Sequence, residues 1–169
     1  MSGLKKEKEI LKQGSMNVYF GSLPEENVII TEIGVDPDLE KDFIFILSKL
    51  LNISYQSIIH IKHIINIAPY HYQIIYEMKK NLKVFKKASG MSLAFILYKA
   101  AELLEYLSKT LIIRPVLLPE NVLLDEENNP FFFNICCTMF CHKEEKEPFI
   151  FKSRTLDDQF KEIKHLGVI

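Results

Sequence analysis

Residues 118–135 run Leu118-Pro119-Glu120-Asn121-Val122-Leu123-Leu124-Asp125, then Glu126-Glu127-Asn128-Asn129-Pro130, then Phe131-Phe132-Phe133-Asn134-Ile135. Two apolar, β-prone runs, 122–124 and 131–133, flank five residues with turn chemistry. Asn accepts left-handed backbone and Pro fixes φ, so the chain doubles back here as a hairpin. Pro119-Glu120-Asn121 leads into the first run and places a polar loop at one end. The hairpin thus offers two short apolar runs and a polar loop at one end.

Upstream, strand and helix patterns alternate. Residues 1–16 are charged and then small. Val18-Tyr19-Phe20 and Val28-Ile29-Ile30-Thr31-Glu32-Ile33 are β-rich runs joined by a polar connection, which predicts a hairpin. Asp36-Pro37-Asp38 marks a helix start: Asp36 caps, Pro37 suits the first helical position, and Asp38 and Glu40 favour the positive end of the dipole. Phe43, Ile46, Leu47, Leu50 and Leu51 recur at helical spacing, predicting a helix over 38–51. Residues 57–66 predict a strand, Ala68-Pro69-Tyr70 a turn, and 71–78 a returning strand. After a polar connection, Ser92 caps a long helix to Lys109. Leu93, Ile96, Leu97, Ala100, Ala101, Leu104 and Leu107 form one face, and Phe95, Leu103 and Tyr106 widen it, which predicts burial all round. Beyond the hairpin come a cysteine-rich stretch (136–142), a charged loop (143–147), Pro148-Phe149-Ile150-Phe151, and a helical pattern over 156–169. An antiparallel sheet with one helix, then a mainly helical part, is an α+β architecture.

Composition narrows the function classes. A chain of 169 residues fits one domain with a sizeable core. A net charge of −1 leaves no nucleic-acid footprint or polybasic membrane patch. No apolar run reaches transmembrane length, no signal-peptide pattern opens the chain, and three cysteines suit a reducing compartment. This predicts an intracellular protein, cytoplasmic or cytoskeletal.

The order of elements and the hairpin resemble the eukaryotic protein-kinase fold. There, His-Arg-Asp-Leu-Lys-Pro-Glu-Asn precedes two apolar residues, a turn and Asp-Phe-Gly. Pro119, Glu120 and Asn121 are kept. The His-Arg pair falls on Arg114 and Pro115, the aspartate that orients the substrate hydroxyl on Val116, and the lysine on Leu118. Asp-Phe-Gly falls on Asn134, Ile135 and Cys136. Gly14-Ser15-Met16-Asn17-Val18-Tyr19-Phe20-Gly21 resembles the glycine-rich loop and next strand, with Gly14 alone of three loop glycines. Val-Ala-Ile-Lys falls on Val28-Ile29-Ile30-Thr31, so Thr31 takes the lysine position. The helix C glutamate falls near Phe43, and the hinge on Tyr76-Glu77-Met78 with Tyr76 as gatekeeper. The helix at 92–109 resembles helix E, Glu147-Pro148-Phe149 falls on Ala-Pro-Glu, and 162–169 resembles the start of helix F. The resemblance implies a bilobal protein-kinase-like domain: an N-lobe over 1–78, with a small antiparallel sheet plus one helix, and a truncated mainly helical lobe over 79–169.

The same positions argue against catalysis. Phosphoryl transfer needs a lysine and glutamate on the phosphates, an aspartate on Mg²⁺ and an aspartate on the nucleophile. Here they read Thr31, Phe43, Asn134 and Val116. Asn121 alone is a poor Mg²⁺ site. The implied nucleotide pocket is vestigial: Val18, Ile29, Tyr76, Met78, Asn121 and Leu123, with Ile29 in place of the roof alanine and Tyr76 bulky. No cofactor is expected. Cys136, Cys137, Cys141 and His142 lack the paired spacing of a zinc site. His60 and His63, three apart on a strand, fall on opposite faces, and His71 lies across the turn. No local pattern supports a nucleophile pair of Cys137 or Cys141 with a histidine. The 143–147 run is a solvated loop.

The implied function is that of a catalytically inactive pseudokinase, a scaffolding component of a larger assembly whose other subunits cover apolar faces of the truncated helical lobe. The alternatives are a residual Ser/Thr-type kinase or nucleotide-sensing switch, and a fragment whose other half carries the function. The Pro119-Glu120-Asn121 loop leans to the Ser/Thr branch.

Overall fold

The computed structural model describes residues 3–79, 81–85, 91–110 and 117–141. Arg114, Pro115, Val116, His142, the 143–147 loop, residues 148–151 and the pattern over 156–169 lie outside the described residues.

Five antiparallel strands form the first sheet in the order β1-β2-β3-β5-β4: β1 Lys5–Gln13, β2 Met16–Leu23, β3 Glu26–Gly34, β4 Ile61–Ala68 and β5 His71–Glu77. The N-terminal run carries no apolar alternation, yet it forms β1. Ile10 and Leu11 supply its packing against the core, and Gln13 pairs with Met16 across a two-residue turn. Gly14 takes φ 53° there, which glycine adopts without strain. The turn folds down onto the end of β3: Ser15 Oγ donates to the Gly34 carbonyl at 2.7 Å, and Gly34 N–H to the Ser15 carbonyl at 2.9 Å.

Between β3 and β4 the chain forms α1 (Glu40–Leu50). A single 3₁₀ turn, Pro37–Leu39, precedes it, capped by Asp36, whose carboxylate accepts the Asp38 N–H. α1 buries Phe43, Ile46, Leu47 and Leu50. Spacing puts the next strand at 57–66, but β4 starts at Ile61 and ends at Ala68. Residues 57–59 run beside the hairpin instead, and the His60 carbonyl accepts the Glu77 N–H. Phe132 N–H bonds the Ser57 carbonyl and Ile59 N–H the Phe132 carbonyl, so Ile58 and Ile59 enter the core. His60 therefore precedes the strand, and the alternation argument that set it opposite His63 fails; both are exposed.

The second sheet is β6-β7-β8: β6 Lys83–Val84, β7 Val122–Leu124 and β8 Pro130–Phe132. Its hairpin turn rests on Asp125, whose Oδ1 accepts the Glu127 and Asn129 N–H groups, with Asn128 at φ 65°. α2 spans Met91–Thr110, so Ser92 lies inside it and does not cap it. It is not buried all round. Ile96, Ala100, Leu103 and Leu107 make one buried stripe, while Phe95 and Tyr98 are 40% and 57% exposed. One core joins the inner sheet face, α1, α2 and the hairpin. A small outer cluster, Val28, Ile30 and Ile75, lies on the other face of the sheet.

Candidate functional site

β3 is buried on both faces, and pleating sends Ile29, Thr31 and Ile33 inward. On β5, Tyr76 is paired with Ile29 and also faces inward. Asn134 follows β8 in left-handed backbone, φ 50°. The three side chains meet: Thr31 Oγ1 donates to Asn134 Oδ1 at 2.8 Å, and the Tyr76 hydroxyl donates to the same oxygen at 2.9 Å. The Cys137 sulfur lies 3.9 Å from the Tyr76 oxygen. All four residues are buried.

The cluster is electrically neutral. Burial above all, with Cys137 beside it, holds the Tyr76 phenol well above its ordinary range. Burial likewise pushes the Cys137 thiol up, against the opposing Tyr76 hydrogen bond. Cys141, also desolvated, is pushed up to about 11. Neither thiol has thiolate character at neutral pH. Asn121 is buried in the 3₁₀ turn Pro119–Asn121, and its backbone carbonyl accepts the Phe133 N–H. Its amide oxygen and nitrogen, and the Asn134 nitrogen, have no partner among the described residues.

Val18, Ile29, Tyr76, Asn121 and Leu123 are buried and Met78 half-buried. Phe133 sets its ring edge against Tyr76 at 5.9 Å. An open cleft of about 740 Å³ does exist, but at the β2–β3 turn, lined by Leu23, Pro24, Glu25, Met78, Lys79 and others, away from Thr31 and Asn134. Phe43 is sealed between Tyr72 (5.1 Å between centroids) and Phe140 (5.5 Å). Among the described residues, no three His, Cys, Asp or Glu side chains gather as a metal set. His71 bonds the nearby Pro69 carbonyl. Spacing alone did not reveal Cys137 or Phe140 as members of this arrangement. Their signal was only an apolar, cysteine-bearing run after Asn134.

No family model matches the chain. No curated protein matches it either. Among solved structures, it superposes on the pseudokinase domain of BIR2, an immune regulator of the RLK/Pelle family, with a TM-score of 0.65 at 12% identity. The match covers 95% of this chain and 54% of that one, so the chain spans about half of that structure. The likeness is one of fold: a mixed α+β, kinase-like arrangement built on an antiparallel sheet.

Proposed function

We propose that the chain is a catalytically inactive, kinase-like domain that works by binding protein rather than by transferring phosphate. The observation that carries this reading is the buried oxygen of Asn134, taken by the Thr31 and Tyr76 hydroxyls. Under the kinase correspondence, Thr31 stands at the phosphate-binding lysine and Asn134 at the metal-binding aspartate. Two neutral groups bonded directly to each other, with a tyrosine hydroxyl as second donor, supply neither the cation nor the anion that phosphoryl transfer uses. Removing one electrostatic group of this kind costs roughly 10²–10³ in rate. In the finer form of the proposal, residues 1–78 are an N-lobe and 79–169 part of a helical lobe, in an intracellular protein. Other subunits sit on apolar side chains such as Phe95 and Tyr98. That the similar fold is a pseudokinase domain agrees with this reading.

One observation favours a second reading, a nucleotide-sensing switch: the Asn121 amide is buried and without a partner among the described residues. Thermal unfolding with and without ATP and Mg²⁺ separates the two. A ligand at 100 times its Kd adds about 2.7 kcal/mol, a shift of several degrees. No shift is expected at millimolar ATP; a shift of that size favours the nucleotide-sensing switch, and release of labelled γ-phosphate overturns the inactive reading.

A further inference from the structure

We propose that the side-chain amides of Asn121 and Asn134 hold at least one internal water molecule between them. Asn121 is 1% exposed and Asn134 is fully buried. Three of their four amide atoms, Asn121 Oδ1, Asn121 Nδ2 and Asn134 Nδ2, have no hydrogen-bond partner among the described residues. A buried amide in that condition has lost its bonds to solvent and gained none in return, which is costly. Folded proteins answer nearly all such groups, either with protein or with bound water.

The backbone brings the two residues to one place. The Phe133 N–H bonds the Asn121 carbonyl at 3.1 Å, one step beyond the Val122–Phe132 pair, so the β7–β8 ladder continues to Asn121. Asn121 therefore lies across from Phe133, the residue before Asn134. Asn134 leaves extended backbone at φ 50°, and its Oδ1 is turned to the Thr31 and Tyr76 hydroxyls. Its Nδ2 is the other branch of the same planar amide and is directed away from those hydroxyls.

Valence and charge select the occupant. Both lone pairs of Asn134 Oδ1 are taken, so Asn134 offers only N–H donors. A cation would find Asn121 Oδ1 as its one free amide oxygen here, where a divalent ion takes about six oxygens. An anion would be buried among neutral groups, the Thr31 and Tyr76 hydroxyls and the Cys137 thiol, with no opposite charge to offset its desolvation. Water fits both demands: it accepts from Asn134 Nδ2 and donates to Asn121 Oδ1. Internal waters make about three hydrogen bonds each to otherwise unpaired groups, and three amide atoms are open. Water also accounts for the open Asn121 amide without a nucleotide.

Oxygen-17 magnetic relaxation dispersion of the whole chain, which counts long-lived internal waters, tests this. Asn121→Leu puts an apolar side chain of similar size at the site, and the dispersion amplitude should fall by about one water or more. An equal amplitude overturns the proposal. Should that variant fold poorly, the unmodified chain carries the test alone. Rotating-frame cross-peaks to water are expected from the side-chain amide protons of both Asn121 and Asn134, and their absence overturns the proposal. A crystal structure with a metal ion against the two amides overturns it as well. No nucleotide enters these measurements, so a dry site leaves the inactive-centre reading untouched.

Discussion

Asn134 Oδ1 has two lone pairs, and both are occupied by hydroxyls from different strands. Tyr76→Phe removes one donor and keeps the ring against Phe133, so urea unfolding should show a loss of about 1 kcal/mol. Thr31→Val with Tyr76→Phe leaves the carbonyl buried without either donor, and the double loss should exceed the sum of the single ones. Alkaline titration probes the same group. Tyr76 and Cys137 keep their protons in the folded state above ordinary values of 10.0 and 9.0. The unfolded chain gives them up first, so above about pH 9 it binds fewer protons than the folded chain and stability falls as pH rises. Below pH 9 that contribution is fully present. Tyr76→Phe should flatten the decline near pH 10, and an unchanged profile sinks the assignment. The kinase resemblance put Thr31 at the lysine position and Asn134 at an aspartate position of that pattern. That they share one oxygen was not legible, because it depends on the β3–β5 register and on left-handed backbone at Asn134, across 103 residues of sequence separation.

At the scale of elements, local chemistry was the legible part. Asp36-Pro37-Asp38 announces α1, and the Asn- and Pro-rich turn announces the β7–β8 hairpin. β1 was not legible, because its residues are chosen for a solvated edge and carry charge where alternation would show. The frame of β4 was missed because residues 57–59 pair with β8, a contact set by tertiary packing. α1 is held at Phe43 by rings, near the place the sequence resemblance gave to the helix C glutamate. Phe43 lies between Tyr72 and Phe140, and the Phe140 carbonyl also accepts the Asp36 N–H. Such contacts are insensitive to salt, whereas an ion pair is screened. Phe140→Ala should cost about 3–5 kcal/mol and speed amide exchange in the first turns of α1 more than in β5. Raising NaCl to about 1 M should leave α1 protection in the unmodified chain unchanged. Salt-dependent exchange there is the result that contradicts ring-held docking.

For the whole molecule, the question is whether the sheet and the hairpin–helix part fold as one unit. The sequence resemblance divides the chain near residue 78, yet the contacts cross that line repeatedly. Residues 57–59 bond β8 through backbone, Thr31 and Tyr76 bond Asn134, Val35 bridges Cys141, and Tyr55 stacks on Tyr106 of α2 at 4.7 Å. The main core cluster likewise runs without a break from Met16 on β2 to Phe140. Backbone ladders, a buried polar knot and a shared apolar core all couple the same two parts, so neither keeps its buried surface if the other opens. Urea unfolding followed by far-UV circular dichroism and by tyrosine fluorescence should therefore give coincident transitions with one midpoint. Ile59→Ala, which trims a side chain 1% exposed at the crossing, should lower that midpoint for both probes together, by about 2–5 kcal/mol of stability. Two separated transitions, or a variant that moves one probe alone, mean that the sheet stands without the hairpin. The crossing contacts would then be docking contacts between independent halves.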